Sequence, residues 1–551
     1  MKVRKYIIAG SFMLMAWGAI QAQVGDPLGG KDTLTLENER IEDVIESTKP
    51  FLKPPYQELE KAKTEEVKFD SRDFYVETDF EPAPPDIREV EKDKEEKLKN
   101  NMVKLGFGRF ATPFANIYIN NGENRDVDYG FEFGHISAHQ DNLIPLREFR
   151  RDYGSLQASM VAKENTFTAQ AKLLNSSYFN YANTDTIPSD GLKDSLQMGF
   201  THFGIQGILA SNYDRSRNYE FEVGTGIKFH NDRRDNSEFH FDLAPTGGFR
   251  ITPDVMVGAK TGFNFVRGKI NRANQNRVLL SARPAVTYDN GDLMITGGVQ
   301  VNYFNNSADS AGVSQFGPAI EASYEFVPDA IAIVAGYTSG MVNNHYFGMI
   351  EENPYVATNV AIKPGIEKMN IYAGLEGNLN NKIDFAARAY YKRIENQLIY
   401  DNSVDGRYFA AVYDSSMTVA GIHAEINYDL KDNIQGGVAL NINNYTTSTV
   451  AKYYGASPVR LDFFAAYTYD KKLTAKGEVF VFGPRPMGID SIGEIIRQNT
   501  FIDINLSADY RITDGFSVFL GVENLLSTKY QRWNNYIERP IDIKGGITLA
   551  F

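Results

Sequence analysis

Side chains able to do acid–base or metal chemistry are few in this sequence and lie far apart. The chain carries seven His and no Cys. Alternate residues of an extended strand share a face, which places His135 with His139. The same period places Glu238, His240 and Asp242 together. Each set could hold a metal ion or relay a proton, but the simpler interpretation is a polar face lining a barrel lumen.

The sequence contains none of the common catalytic motifs, such as Gly-x-Ser-x-Gly, His-Glu-x-x-His or a phosphate-binding loop. We therefore predict that the protein is not an enzyme, and we assign no catalytic, cofactor-binding or metal-binding residue. The net charge is −13, and the excess of acids is strongest in residues 23–101. Nucleic acid selects basic surfaces, so we exclude it as a partner.

The first residues predict a secretory signal. Lys2, Arg4 and Lys5 precede an apolar stretch over residues 7–20, and Ala22 then fits the small-residue cleavage position. The alternative is an anchoring helix, but the apolar run is short for a bilayer. We predict a signal peptide over residues 1–22. Without Cys, neither a lipid anchor at a mature N-terminal Cys nor a disulfide framework can form.

The next segment, residues 23–101, differs from the rest of the chain. It is acidic and poor in aromatic residues, and it carries proline clusters at residues 49–56 and 81–85. Such a composition cannot bury enough apolar surface to form its own core. We predict an extended periplasmic arm.

From residue 102 to residue 551 the pattern is one of alternating strands. In the stretch Tyr219–His230, for example, Phe221 and Phe229 lie on one face, and Glu222 and Lys228 lie on the other. The chain also has 36 Phe, 31 Tyr and 46 Gly. Aromatic residues form the interfacial girdles of outer-membrane barrels, so this composition favours a barrel over a soluble sandwich.

Short and long connections alternate between these strands. Turn signals such as 252–254, 289–292 and 513–515 are separated by long loops such as 339–368 and 524–540. Short periplasmic turns with longer extracellular loops are typical of bacterial outer-membrane proteins. We predict an all-β fold, a transmembrane antiparallel β-barrel of about 22 strands with both ends on the short-turn side. A count of 18 or 20 stays open, because the first hairpin near 111–113 and the strand containing Pro284 are weakly indicated.

The last residues resemble the terminal-strand signal that the barrel-assembly machinery reads. The pattern consists of Lys544, Gly546, Leu549 and the final Phe551. The alternative is an ordinary last strand of a soluble sheet. We predict recognition by the barrel-assembly machinery and an integral location in the bacterial outer membrane, in contact with its lipid and lipopolysaccharide.

Several segments, taken in order, resemble the barrel of TonB-dependent receptors. They are Glu352–Tyr355, Ile366–Gly374, Tyr390–Tyr400 and Gly521–Tyr536. The resemblance covers residues 339–551 by motif and residues 102–340 by architecture. It implies a receptor-like barrel involved in transport.

The N-terminal part departs from that family. TonB-dependent receptors carry a plug domain inside the barrel, and residues 23–101 do not resemble one. A short segment, Asp32-Thr33-Leu34-Thr35-Leu36, does resemble the box that engages TonB. Whether TonB is engaged therefore stays open at this point.

Two functional classes follow. The first is transport of a solute across the outer membrane. The second is a structural or accessory role in an outer-membrane assembly or secretion complex, in which residues 23–101 dock a periplasmic or outer-membrane protein. The residues do not identify the solute, because loop side chains determine it.

Overall fold

The computed structural model describes residues 99–122, 126–139, 145–182, 190–212, 218–309, 311–379, 382–402, 406–429 and 433–551. The predicted signal (1–22), all of the predicted arm (23–101) except its last three residues, and the TonB-box-like segment (32–36) lie outside the described residues. Their assignments remain predictions.

The described chain is almost entirely β-structure. In chain order its strands are β1 (Met102–Gly108), β2 (Thr112–Asn120), β3 (Val127–Ala138), β4 (Phe149–Val161), β5 (Asn165–Phe179), β6 (Gln197–Ser211), β7 (Tyr219–Asp232), β8 (Ser237–Thr252), β9 (Val255–Ile270), β10 (Ala273–Asp289), β11 (Leu293–Asn306), β12 (Val313–Val327), β13 (Ile331–Val342), β14 (Gly365–Leu379), β15 (Ile383–Glu395), β16 (Gln397–Asp401), β17 (Ala410–Asp414), β18 (Met417–Asp429), β19 (Ile434–Thr446), β20 (Val459–Tyr469), β21 (Leu473–Phe482), β22 (Arg485–Ile489), β23 (Ile495–Gln498), β24 (Phe501–Thr513), β25 (Phe516–Glu523), β26 (Gln531–Trp533), β27 (Tyr536–Ile537) and β28 (Asp542–Ala550). Two short helices are α1 (Asp190–Leu196) and α2 (Tyr346–Glu352). Within the described residues, neither is long and apolar enough to cross a membrane.

Twenty-two of these strands form one closed antiparallel barrel. The sheet closes where β1 pairs with β28, with Met102 opposite Ala550 and Gly106 opposite Gly546. Each strand otherwise pairs with the next barrel strand along the chain. The remaining strands form the hairpins β16–β17, β22–β23 and β26–β27. The prediction of a 22-stranded antiparallel barrel is confirmed.

The barrel has two unlike ends. The turn end carries both termini of the barrel and short connections such as 253–254, 290–292 and 328–330. The loop end carries the long connections 343–364, 396–416, 447–458, 483–500 and 524–541, which hold α2 and the three hairpins. The long loops all lie at one end, as predicted, but the predicted alternation of short and long connections is incomplete, because the loop end also carries the short connections 109–111, 233–236 and 271–272.

Alternation along each strand produces an apolar outer face and a polar inner face. Outward side chains that remain exposed include Phe131, Leu156, Phe203, Ile205, Phe229, Leu280, Val301, Ile371, Ile422, Ile442, Ile502 and Leu520. Inward side chains form polar pairs, such as Gln206 with Gln170 at 2.8 Å and Lys544 with Glu523 at 2.9 Å. A lipid-facing belt around a polar lumen explains both faces.

Two uncertain predictions are resolved by the register. Pro284 lies in β10 opposite Ala259 of β9, and the ladder to β11 is interrupted beside it and resumes in the same register at Ala285. A proline is tolerated there because only one ladder loses a donor. The first hairpin turns at residues 109–111, where Phe110 and Ala111 have positive φ.

The interpretation of His135 and His139 as part of a lumen face is wrong. His135 lies on the outward face of β3 with Phe131 and Phe133, close to the loop end, and His139 directly follows the strand. Outside the apolar belt this face can be polar, and His135 Nδ1 lies 2.6 Å from Asp152 Oδ1 on β4. The three residues Glu238, His240 and Asp242, by contrast, do face inward as predicted, since Phe239 and Phe241 take the outward positions of β8.

Candidate functional site

Three long loops pack together over the mouth of the barrel at the loop end. We call the described residues of these loops, 343–364, 396–402, 406–416 and 524–541, the lid. Its core joins aromatic and aliphatic side chains from all three loops to inward side chains at the ends of β5, β6 and β9. The fully or almost fully buried members include Tyr346, Ile350, Val356, Phe409, Tyr536 and, on the wall, Tyr178, Phe200 and Ile270.

Aromatic contacts connect the lid loops. The rings of Tyr355 and Tyr536 stack with their centroids 3.5 Å apart, and Tyr181 meets Tyr536 edge-on at 5.0 Å. Trp533 packs edge-on against Phe409 at 5.5 Å. Burying an aromatic side chain stabilises a structure by several kcal/mol, so such a cluster favours one packed arrangement of the loops.

A buried carboxylate on the wall holds the lid helix. Glu238, inward on β8, accepts the backbone N–H groups of Tyr346 at 3.1 Å and Phe347 at 2.8 Å. These are donors that the first turn of α2 leaves unsatisfied. Arg277 of β10 pairs with the same carboxylate, and both side chains are completely buried. His345 caps the helix, because its Nδ1 accepts the Gly348 N–H at 2.8 Å.

A second set of polar contacts anchors the ring of Tyr346. Its hydroxyl donates to Asp232 Oδ2 at 2.8 Å and accepts from Arg234 at 2.8 Å and Asn236 at 3.0 Å. Arg234 also donates to the carbonyl of Val356 at 2.8 Å, so one guanidinium binds both ends of the lid loop. We call Asp232, Arg234, Asn236, Glu238 and Arg277 the wall latch.

Hydrogen bonds also tie the lid loops to each other. Asn402 and Asn534 are joined through their side chains at 3.0 Å, and Asn402 also donates to the Asn534 carbonyl at 3.1 Å. The Tyr536 hydroxyl lies 2.8 Å from Asn180 Oδ1 and 2.7 Å from the carbonyl of Arg407. The lid therefore behaves as one packed unit rather than as separate loops.

Four of the seven histidines gather around this lid. His202 stacks on Phe347 with centroids 4.2 Å apart, His230 lies 4.5 Å from the same ring, and His240 meets His345 edge-on at 4.6 Å. In sequence they are scattered. The register explains the gathering, because His202 and His230 are direct partners on β6 and β7, and both face inward.

One part of this gathering has the residue types of a metal site. Possible ligand atoms of Glu238, His240 and His345 lie within 4.8 Å of one another. Arg277 already neutralises the carboxylate, and His345 Nδ1 is used in the helix cap. A metal ion would place a second cation in a buried pocket beside a guanidinium, at a large desolvation cost. The chemistry of the cluster therefore fits a structural latch better than a metal centre.

Burial shifts the titration of groups within the lid. Burial lowers the pKa of His345 well below its ordinary value, and the neighbouring His240 contributes in the same direction. Burial raises the pKa of Glu352, whose carboxylate accepts a hydrogen bond from the Tyr400 hydroxyl at 2.8 Å. The closed lid thus favours neutral side chains at both positions.

The residues that the sequence singled out do not all meet at this site. Asp242 is separate from Glu238 and His240, since it bonds to Asn264 and lies 3.3 Å from Lys228. The proposed assembly signal runs along β28, from Lys544 near the loop end to Phe551 at the turn end. Lys544 and Gly546 face inward, while Leu549 and Phe551 are 41% and 63% exposed on the outside. Its recognition by the assembly machinery stays a prediction.

Sequence reasoning missed most of the lid. Phe409 and Asn402 lie in loops, and Tyr346 begins the short helix α2, so no long period marks any of them as buried. A signal did exist for two residues, because Tyr355 and Tyr536 end two of the segments that resembled TonB-dependent receptors. The structure shows these two tyrosines stacked on each other.

Comparisons with known proteins agree with this architecture. The family model described as "TonB dependent receptor-like, beta-barrel" matches residues 104–525. Among curated proteins, none matches the sequence.

Solved structures with the same fold share little sequence with this chain. The apoprotein form of the FrpB iron transporter from Neisseria meningitidis has a TM-score of 0.64 and 10% identity, covering 83% of this chain and 81% of its own. The ferric-catecholate import receptor Fiu from E. coli K12 has a TM-score of 0.60 and 11% identity, covering 82% of each chain. The pyoverdine outer membrane receptor FpvA from Pseudomonas aeruginosa has a TM-score of 0.61 and 13% identity, covering 84% and 80%.

Proposed function

The chain belongs to the family of TonB-dependent receptor-like β-barrel proteins of the outer membrane, and we propose that it transports a solute across that membrane. The family is one of receptors and transporters rather than enzymes. The observation that supports transport most directly is the lid packed over the barrel mouth. Outer-membrane transporters of 22 strands keep their lumen obstructed, and this 22-stranded barrel carries the lid at its loop end.

In this proposal the lid is the outer gate. Its loops face the exterior, because barrel proteins place long loops outside and short turns in the periplasm. A solute must displace or bind the lid before it reaches the lumen. The lid offers aromatic rings and buried tyrosine hydroxyls, which suit a solute with aromatic or hydrogen-bonding groups.

The first solute class to test is an iron chelate. The three structures described above are named for iron transport, ferric-catecholate import and pyoverdine reception. At 10–13% identity they share the fold with this chain, so the solute class is a starting hypothesis for binding assays.

A reversible lock on the lid tests the gate. The chain has no Cys, so the double variant Asn402→Cys/Asn534→Cys introduces one possible disulfide between loops 396–416 and 524–541. We expect the oxidised protein to lose uptake of the solute and to regain it on reduction. Uptake is followed with a labelled ferric chelate in cells that lack their own receptor for it.

Two controls make this test specific. Each single-Cys variant should transport normally under oxidising and reducing conditions alike. Equal uptake by the oxidised and reduced double variant, with the disulfide verified by mass spectrometry, would contradict a gating lid.

The second candidate is an accessory role in an outer-membrane complex. It is favoured by how completely the lid is packed, since a permanent seal would suit a structural subunit. In that case residues 23–101 would dock a periplasmic partner. Deleting residues 23–94 should then remove a co-purifying protein and leave single-channel conductance unchanged. A jump in conductance on the same deletion would instead indicate that these residues restrict the lumen.

A further inference from the structure

The lid helix α2 ends at Glu352, whose carboxyl group forms no ion pair with any residue that the structure describes. The last turn of this helix contains Glu351 as well and no basic residue. The C-terminal end of a helix carries a partial negative charge, so a cation is stabilising there and an acid is not. Glu352 therefore adds a negative charge at a position where the helix favours a positive one.

A tyrosine of the neighbouring lid loop holds the side chain of Glu352. The Tyr400 hydroxyl donates a hydrogen bond to Glu352 Oε2 at 2.8 Å. Tyr400 is 5% exposed and meets Trp533 edge-on, with ring centroids 5.5 Å apart, so packing fixes its position. Glu352 itself is partly exposed. One side of the carboxyl group is thus held by the lid, and part of it remains accessible to a ligand.

A second tyrosine of the same hairpin lies beside Tyr400. Leu398 pairs with Tyr413 and Tyr400 pairs with Ala411, so both tyrosines lie on one face of the β16–β17 hairpin. Diagonal neighbours of this kind are within reach of each other when the side chains are aromatic. The Nζ atom of Lys363 lies 5.8 Å from the centre of the Tyr413 ring, which shows that this face attracts a cation.

A third tyrosine comes from the connection 447–458. Tyr453 packs edge-on against Tyr445 of β19, with ring centroids 5.2 Å apart. Burial raises the pKa of Tyr453, and the charge of Glu352 adds to this effect, which indicates that the ring lies near the carboxyl group. Tyr413 and Tyr453 are partly exposed, as is Glu352. We call Glu352, Tyr400, Tyr413 and Tyr453 the tyrosine cage.

Either a proton or a cation can neutralise Glu352 in this cage. Burial raises the pKa of its carboxyl group, so the lid by itself favours the protonated form. A cation that reaches the carboxylate would exchange with that proton and form a charge-assisted hydrogen bond. The faces of the flanking tyrosine rings would stabilise the same cation.

The groups of the cage suit an organic cation better than a metal ion. Ca²⁺ takes about six to eight oxygen ligands, whereas the cage offers one carboxylate and tyrosine hydroxyls. Burial raises the pKa of Tyr413 to about 12, so its hydroxyl stays protonated and is a poor metal ligand. An ammonium group, by contrast, donates N–H bonds to a carboxylate and packs against aromatic faces.

We propose that the tyrosine cage binds a primary ammonium group, and that this group belongs to the transported solute. The second part rests on the proposed function, whereas binding of the cation does not. Glu352, Tyr400 and Tyr453 come from three different connections, so the bound cation would join residues 447–458 to the lid. Among iron chelates, the cage would select those that carry a free amine.

The test measures binding of n-butylammonium to the full-length protein in a non-ionic detergent, with n-butanol as the uncharged analogue of equal chain length. Saturation-transfer NMR follows the bound probe. The cage variant is Glu352→Gln. The matched control is Glu494→Gln, which removes an exposed acid between β22 and β23 at the same end of the barrel. Heat-modifiable migration on gels and unchanged Trp533 emission show that each variant keeps its barrel and its lid.

A second pair of variants tests the aromatic part of the cage independently. Tyr453→Leu removes a ring, and Tyr453→Phe keeps it. This pair decides the question if the lid of Glu352→Gln does not stay packed.

We expect Glu352→Gln to bind n-butylammonium at least about tenfold more weakly, because the charge-assisted hydrogen bond is lost. The Glu494→Gln control should bind within about twofold of the unaltered protein, since an exposed charge contributes little. Tyr453→Leu should weaken binding about fivefold and Tyr453→Phe by less than about twofold, because the ring face makes the contact. The uncharged n-butanol should not compete with the ammonium probe.

Three results would overturn the proposal. Equal affinity in Glu352→Gln and the unaltered protein would remove the carboxylate from the site. Competition by n-butanol would indicate an apolar pocket without charge recognition. Displacement of the probe by Ca²⁺ at constant ionic strength would indicate a metal-binding carboxylate. None of these results bears on the disulfide test of the gate, and failure of that test would leave cation binding intact, so the two proposals fail separately.

Discussion

The barrel wall and the lid achieve stability by different means. In the wall, the backbone N–H and C=O groups of each strand form hydrogen bonds with the two neighbouring strands. Outward apolar side chains such as Ile205 and Leu280 require a membrane around them. In the lid, the loops bury Phe409 and Tyr536 against each other and against the wall. The stability of the wall depends on the surrounding lipid, whereas the stability of the lid depends on the packing of its own side chains.

This difference predicts separate responses to mutation. A change on the lipid face should alter insertion and barrel stability with little effect on the lid. A change in the latch should release the lid and leave the barrel intact. Trp533 provides the measurement for the lid, because it packs against Phe409 and is the one tryptophan of residues 102–551.

The largest effect is expected at the wall latch. The substitution Glu238→Gln leaves the Arg277 guanidinium completely buried without its counter-charge, which costs about 3–5 kcal/mol. We expect the lid to open, so that acrylamide quenches Trp533 fluorescence far more strongly. The control is Glu376→Gln, which removes the partner of Arg388 on the lumen wall away from the lid. Similar quenching in both variants would contradict a local latch.

The next effect concerns the wall. Ile205 and Gln206 are neighbours on β6, the first outward and 51% exposed, the second inward and bonded to Gln170. Ile205→Arg should destabilise the barrel by about 2–4 kcal/mol in bilayers, and Gln206→Arg by much less. Urea unfolding in lipid vesicles measures both. Equal penalties would mean that the lipid-facing register is misassigned.

His240 would be unsuitable as the inward control in this experiment. The sequence predicts that His240 faces the lumen, and the structure confirms this inward orientation. It is nevertheless only 2% exposed, because the lid covers it. An arginine there would meet His345 and Glu238, so its effect would report on the lid rather than on the lumen.

A smaller effect follows from acidification. The pKa of His345 is lowered in the closed lid, and an exposed histidine titrates near about 6.5. The closed lid therefore binds fewer protons than an open lid in which His345 is exposed. The contribution of His345 to the stability of the closed lid is complete above that pH, and it is lost as the pH falls toward the lowered pKa. The free energy of lid closure changes by at most about 1.4 kcal/mol per pH unit in this range. His240, Glu238, Arg277 and Lys228 are the charged or titratable groups that act on His345.

Trp533 quenching between pH 7.5 and 4.5 measures this effect. The variant His345→Asn keeps an acceptor for the helix cap and cannot titrate, so its lid should respond less to pH. A pH response as steep as that of the unaltered protein would assign the titration to another group.

The smallest effect on stability is expected at Phe551. Its side chain is 63% exposed, and its backbone exchanges hydrogen bonds with Asn101 at 3.0 and 3.2 Å. Deleting it should change barrel stability by less than about 1 kcal/mol. If the terminal strand carries an assembly signal, the yield of membrane-inserted protein should fall sharply all the same. An unchanged yield in cells would remove that role.

Much of the wall could be predicted from local sequence. The period of two in Tyr219–His230 sets which side chains meet lipid, and turn residues such as Thr252-Pro253-Asp254 set where strands end. These signals are local, because each strand is short and its two faces meet different solvents. The outward position of His135 was misjudged because polar residues are also acceptable on the outer face above the belt.

The sequence by itself determined the barrel, its inner and outer faces, and which end carries the long loops. Only the tertiary structure decided that those loops form a lid, that Glu238 and Arg277 hold it, and that four histidines meet around Phe347. The reason is that alternation is a property of neighbouring residues. The lid contacts join residues more than a hundred positions apart, such as Phe347 with Glu238 and Asn402 with Asn534, and these contacts exist only once the barrel has closed.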